Sequence, residues 1–190
     1  MGMVGAVNRA IDEGIKIYDP KYYCKLNLDD IKKIFRSDTT SSMPLPEERV
    51  RVLSEVGNKL IEKFSGSFIN VLKEADGSAM KLIEIVIENF PCFRDVSTYN
   101  GKEVGILKRV QILTADTWML YRGKDLGDFK DIDKLTMFAD YRVPQSLAYF
   151  GALSYSSELM KILEAEELIE NGHPYEVSYN FIFSVLSKYK

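Results

Sequence analysis

The sequence predicts an all-α, single-domain protein, residues 1–190, with one small β-hairpin near residues 96–106. Three observations carry that expectation. Apolar residues recur at helical spacing along most of the chain, proline or glycine closes the recurring stretches, and an Asn-Gly dipeptide sits between two short alternating runs. The 190 residues are 46% hydrophobic and 12% aromatic, enough to bury a sizeable core in one domain of ordinary size. No repeat, low-complexity linker or heptad seam divides the chain.

The first amphipathic stretch, "LNLDDIKKIF", places Leu28, Ile31, Ile34 and Phe35 on one helical face, with Asn27 as its cap. In "PLPEERVRVLSEVGNKLIEKF", Pro46 suits a first helical position and Glu47 and Glu48 suit the helix's positive end. Val50, Leu53, Leu60, Ile61 and Phe64 form the expected inner stripe, and Gly66 stops the helix. "SAMKLIEIVIENF" reads as a helix capped by Ser78, with Leu82, Ile83, Val86 and Phe90 turned inward and Pro91 ending it. Asn100-Gly101 in "VSTYNGKEVGI" is the pair that tight hairpin turns prefer.

From Leu107 to Tyr121 the chain is apolar on nearly every side, which predicts a central helix with Trp118 in the core. Lys108, Gln111 and Ala115 share one side of it, partly buried, with Asp116 about a quarter turn away. A last helical region is expected to begin near Pro144, break near Gly151 to Ser156, and run on through "SSELMKILEAEELIENG" with Leu159, Ile162, Leu163 and Ile169 inward.

Composition excludes several classes of function. With 25 basic and 28 acidic residues the net charge is -3, so no overall field favours nucleic acid or an anionic membrane. Cys24 and Cys92 lie far apart and read as free core thiols in a reducing cytoplasm. The opening "MGMVGAVNRAIDEG" meets Arg9, Asp12 and Glu13 too early for a signal peptide or membrane span, and Ala6 stands where a myristoylation motif wants serine or threonine. There is no Gly-rich phosphate loop, no Cys-x-x-Cys and no His-Glu-x-x-His, so neither a metal nor a cofactor is expected. His173, the one histidine, reads as part of an exposed turn.

What remains is a set of charged residues in apolar surroundings: Arg94 and Asp95, Lys108 and Asp116, and Asp140 with Arg142 in "FADYRVPQ". Such side chains need a partner or a task. Two readings stay open at Asp140. It pairs with Arg142 or caps the helix that follows, or it stays ionised near that helix's positive end and faces a developing cation. In the second reading Phe138 and Tyr141 offer faces for a flat ring, and Arg142 and Gln145 offer hydrogen bonds. Lys108 likewise either extends out of the helical bundle or serves a site.

The stretches "IFRSDTTSSMPLPEERVRVLSEVG", "ILTADTWMLYRG" and "DFKDIDKLTMFADYRVPQSLAYFGALSYSSEL" resemble the queuosine salvage protein family. The similarity runs in register from about "AVNRAIDEGI" to "ENGHPYEV". It implies an all-helical fold similar to helical DNA glycosylases. It also implies hydrolysis of the N-glycosidic bond of queuosine 5′-phosphate, releasing queuine for tRNA modification. Carried over by position, the catalytic aspartate of the family falls on Asp140 and its active-site lysine on Lys108, while Phe138, Tyr141, Arg142, Gln145 and Asp116 fall on substrate-binding positions.

The resemblance further implies segments at both ends that these residues do not contain, an Asn-Phe-x-Phe-Trp type motif before and a Leu-Trp-Asp type motif after. Residues 178–190 leave the family pattern. The expectation is therefore a recognisable but incomplete site with weak or absent turnover. Its partner would be the small-molecule substrate alone, with no nucleic acid and no membrane, and the residues leave the oligomeric state open. The alternatives are a non-catalytic nucleotide- or partner-binding fragment of the same fold, and a helical DNA glycosylase, which the charge of -3 disfavours.

Overall fold

The computed structural model describes residues 3–40, 43–99, 101–136, 138, 142–169 and 173–175. Their architecture is mostly helical, with one two-stranded antiparallel sheet. Backbone contacts group the chain into two compact units, Met1–Asp76 with Glu88–Cys92, and Gly77–Ile87 with Phe93–Lys190.

The first unit contains α1 (Met3–Asp12), α2 (Pro20–Tyr23), α3 (Leu28–Ile34), α4 (Pro46–Lys63) and α5 (Phe68–Ala75). Asn27 caps α3 as read from sequence: its side chain accepts from the Asp29 and Asp30 N–H groups, and Asp30 accepts in return from the Asn27 N–H. Ala10, Ile17, Leu26, Ile31 and Ile34 form a buried cluster, with Val7, Tyr23, Phe35, Val50 and Leu53 packed against it. Full burial of each large aliphatic side chain contributes about 1.5–3 kcal/mol. Arg9, the residue that interrupts the apolar opening, holds the end of α3. Its guanidinium donates to the Ile34 and Arg36 carbonyls at 3.3 and 2.6 Å and pairs with Asp38 at 2.9 Å, placing positive charge at the helix's negative end.

Pro46 is the first residue of α4, with Glu47 and Glu48 in its first turn. The inner stripe of α4 departs from the expected one. Ile61 is exposed, and the buried line runs through Gly57, Leu60 and Phe64, spaced three and four residues apart. Glycine is required at 57 by close approach of α2. A Cβ built there would lie 2.6 Å from the Cys24 Cβ and 2.8 Å from the Tyr23 ring. Phe64 stacks on Phe90 with ring centroids 5.9 Å apart, and the Cys92 N–H donates to Glu55 at 2.8 Å. Both cysteines are free. Burial, then the neighbouring Glu55 carboxylate, pushes the Cys92 thiol up to about 12, so it is protonated and unreactive at neutral pH.

In the second unit, α6 (Ala79–Asn89) contributes its residues up to Ile87. Leu82, Ile83 and Val86 are buried as expected, joined by Ala79 and Ile85. Ser78 caps the helix by accepting from the Lys81 N–H at 3.1 Å, but it does so with help from far along the chain. The Asp131 carboxylate accepts from the Ala79 N–H at 2.6 Å, the Met80 N–H at 3.4 Å and the Ser78 hydroxyl at 2.9 Å. Burial opposes the charge on Asp131, and these bonds outweigh it, so its pKa is lowered. Strands β1 (Val96–Tyr99) and β2 (Lys102–Gly105) pair antiparallel with Tyr99 opposite Lys102, the hairpin expected from sequence; Asn100 lies outside the described residues.

α7 (Lys108–Leu120) corrects the expectation of a helix buried on every side. Its buried face carries Val110, Gln111, Thr114 and Thr117, whereas Trp118, Met119 and Leu120 are 39%, 58% and 79% exposed. The two threonines tolerate burial because their hydroxyls donate to the Val110 and Leu113 carbonyls one turn back, at 2.9 and 2.8 Å. After α7 the chain folds tightly onto the helix end. A Cβ at Gly127 would meet the Tyr121 Cβ at 2.5 Å.

The last helical region divides into α8 (Arg142–Tyr149) and α9 (Ser157–Glu164), with the expected break. α8 begins at Arg142, near Pro144 as expected. Proline is accommodated at the third helical position because first-turn N–H groups have no intrahelical acceptor. α9 stops sooner than the pattern suggests: Ala165 caps it, Glu166 takes a left-handed φ of 54°, and Leu163 is exposed while Leu159 is buried. His173 is exposed, as expected. Among the described residues no helix is long and apolar enough to cross a membrane.

Two outcomes follow for stability. Gly57→Ala gains about 1 kcal/mol of helix propensity but inserts a methyl group where overpacking costs about 1–3 kcal/mol. With contacts as short as 2.6 Å on a backbone-anchored atom the clash dominates, so thermal unfolding should show Tm several degrees lower; a rise in Tm contradicts the packing. Asp131→Ala should cost about 1–2 kcal/mol in denaturant unfolding, as the loss of a cap does. Because the folded pKa of Asp131 is lowered, its contribution is present above the ordinary carboxylate range and is lost as pH falls through the folded value. The stability gap between wild type and Asp131→Ala should therefore close in strong acid, and a gap that persists there rules out the charged cap.

Candidate functional site

The site is built on the first turns of α7. The Asp95 carbonyl accepts from the Ile106 N–H at 2.8 Å and the Leu107 N–H at 3.2 Å, tying the entry of the hairpin to the point where the helix begins. Leu107 takes a left-handed φ of 52°, and Lys108 follows as the first helical residue, half-buried. There the ammonium group adds to the partial positive charge of the helix start, so the two together favour an anion.

One turn on, Gln111 shares the Lys108 side of the helix and is only 8% exposed. Its side-chain oxygen accepts from both the N–H and the hydroxyl of Thr136, each at 2.9 Å, and its amide nitrogen donates to the Ile106 carbonyl at 3.4 Å. Thr136 follows the turn Ile132–Lys134 and lies outside any helix or strand. The structure thus brings α7 and the approach to "FADYRVPQ" together through Gln111. Sequence reading put Gln111 on this face but gave it no role; a lone amide inside the apolar run "VQIL" was the available signal.

Of the residues expected in the site, Phe138 is half-buried two positions past Thr136. Arg142 and Gln145, in the first turn of α8, are exposed and joined by a hydrogen bond of 3.2 Å from the guanidinium to the amide oxygen. Pro144 between them is buried and anchors the helix start. Asp116 is exposed on α7. Trp118, expected in the core, lies partly exposed against Gly123, where a Cβ would stand 3.0 Å from the indole nitrogen. Asp140 and Tyr141 lie outside the described residues. Among the described residues no group of three or more His, Cys, Asp or Glu side chains is placed to hold a metal ion.

The arrangement is that of an anion-favouring helix start beside a braced chain segment. Positive charge at a helix start is chemically able to receive a negatively charged group. Comparison with known proteins gives the family. A protein named queuosine 5′-phosphate N-glycosylase/hydrolase from Bos taurus is 52% identical over 175 residues, covering 92% of this chain and 51% of the other. Proteins of the same name from Schizosaccharomyces pombe and Sphaerobacter thermophilus are 44% identical over 180 residues and 41% identical over 175, covering 51% and 54% of their own lengths. The chain spans about half the length of the curated relatives it matches. Since the family pattern described as queuosine salvage protein matches residues 1–181 as well, the chain belongs to the queuosine salvage protein family.

Proposed function

We propose that this chain carries the reaction named for its relatives, hydrolysis of the N-glycosidic bond of queuosine 5′-phosphate with release of queuine. The observation that supports it most is identity of 41–52% across 92% of the chain to proteins bearing that name. Loss of the base builds positive charge on the ribose, so a fixed carboxylate facing the anomeric carbon stabilises the transition state or attacks it. Asp140 takes that role. Lys108 at the start of α7 offers the positive charge that keeps such a carboxylate ionised or receives the 5′-phosphate.

In this reading Phe138 and Tyr141 present ring faces to the flat base, Arg142 and Gln145 offer hydrogen-bonding groups, and Asp116 supports them from the same helix as Lys108. A 7-deaza base lacks the ring nitrogen through which purines are commonly protonated, so hydrogen bonds at its other edges must help it leave. The substrate is a small nucleotide, no nucleic acid is engaged directly, and the two free cysteines fit a cytoplasmic setting.

Chromatography of the chain incubated with queuosine 5′-phosphate tests this. Release of queuine by this chain should be weak or absent, and where it is measurable Asp140→Asn should lower the rate at least about 100-fold, the scale of losing a group that stabilises transition-state charge. Release untouched by Asp140→Asn removes the aspartate from the mechanism. Heat of binding in calorimetry without free base assigns a nucleotide-binding role instead.

A further inference from the structure

We infer that the β1–β2 hairpin, together with Gln111, positions Lys108. This rests on Lys108 serving the reaction as proposed above. The start of α7 is not defined by its own residues. Its N-cap is Leu107, which makes no side-chain cap hydrogen bond and holds a left-handed φ of 52°, a conformation that residues with a Cβ seldom adopt. Bonds from outside the helix therefore fix where α7 begins.

The hairpin supplies two of them. Val96 pairs with Gly105, so Asp95 falls opposite Ile106, and its carbonyl accepts from the Ile106 and Leu107 N–H groups at 2.8 and 3.2 Å. Gln111 takes the carbonyls of the same two residues, Ile106 with its side-chain amide at 3.4 Å and Leu107 with its backbone N–H at 3.2 Å. Thr136 settles how that amide is turned: a backbone N–H can only donate, so the atom it meets at 2.9 Å is the Gln111 oxygen, and the nitrogen faces Ile106. Every backbone hydrogen-bonding group of the two residues before Lys108 is thus engaged. The Leu107 side chain also closes on the end of β2, where a Cβ at Gly105 would stand 3.3 Å from it. Lys108, half-buried and one peptide bond further on, takes its place from these contacts.

Two variants loosen the hold from opposite ends. Gly101 at the hairpin tip has a φ of 72–74° in no contact that a Cβ would meet within 4 Å, so Gly101→Val strains the turn through its backbone alone. Gln111→Met keeps the side-chain volume and removes the bonds to Ile106 and Thr136. Acylation of lysines by an amine reagent, read peptide by peptide in a mass spectrometer, follows Lys108 without turnover. In both variants Lys108 should be acylated about threefold faster or more, with the exposed Lys124 and Lys161 unchanged. Amide hydrogen exchange at Ile106 and Leu107 should quicken about tenfold, while Val86 in α6 keeps its rate.

Where release of queuine is measurable, Gly101→Val should lower kcat/KM about tenfold, the effect of misplacing a group rather than losing it, and should add nothing once Lys108→Met is present. Release untouched by Lys108→Met removes the lysine from the reaction, and acylation and exchange then decide the positioning by themselves. Acylation of Lys108 at the wild-type rate in these variants, or quickening of exchange shared equally by Val86, overturns the inference.

Discussion

The Asp131 carboxylate is the interaction on which the second unit depends. It closes the start of α6 from 52 residues away in the chain, accepting three hydrogen bonds where a helix otherwise leaves N–H groups without partners. The neighbouring Lys130 N–H donates to the Gly77 carbonyl at 2.9 Å, so the loop after α7 is held to the entry of α6 by backbone as well as side chain. From that anchored point the chain needs only five residues to reach Thr136, where Gln111 takes hold of it from α7. Two polar anchors, one a charged cap and one a neutral amide, thus hold the stretch from Lys130 to Thr136.

Much of this fold was legible in the sequence because its rules are local. The spacing of Leu82, Ile83 and Val86, the cap at Asn27, Pro46 at a first helical position and the hairpin around Asn100-Gly101 each depend on residues a few places apart. What escaped depends on residues distant in sequence. Gly57 is dictated by the Cβ of Cys24, and nothing near position 57 announces it. Asp131 sits in "KDIDK" among other charges with no local sign that it caps α6. In α7 the apolar count identified a helix but not its covered face, because buried threonines can satisfy their hydroxyls internally and so replace large apolar side chains there.

The site shows a second kind of limit. An aspartate before a helix start in apolar surroundings has the same local pattern whether it braces a neighbouring arginine or faces a substrate, so residue mechanics left both readings of Asp140 open. Long in-register similarity, not spacing, favoured the second. Lys108 differs, because its placement carries physical content of its own. A cation as the first residue of a helix opposes the helix's own partial charge, an arrangement worth some tenths of a kcal/mol to about 1 kcal/mol in the unfavourable direction unless an anion is bound nearby.

A neutral amide is the suitable group to join α7 to Thr136. A carboxylate at position 111 would accept the same two donors, but one turn from Lys108 it would compete for the ammonium group and raise the pKa of any carboxylate nearby. A lysine or arginine there accepts nothing. Glutamine takes both Thr136 donors and gives its own proton to the Ile106 carbonyl, so it braces the segment without adding charge. In the proposed reaction, which develops positive charge on a sugar, every fixed charge nearby weighs on the barrier. Bracing with neutral groups joins α7 to Thr136 without adding a fixed charge to either.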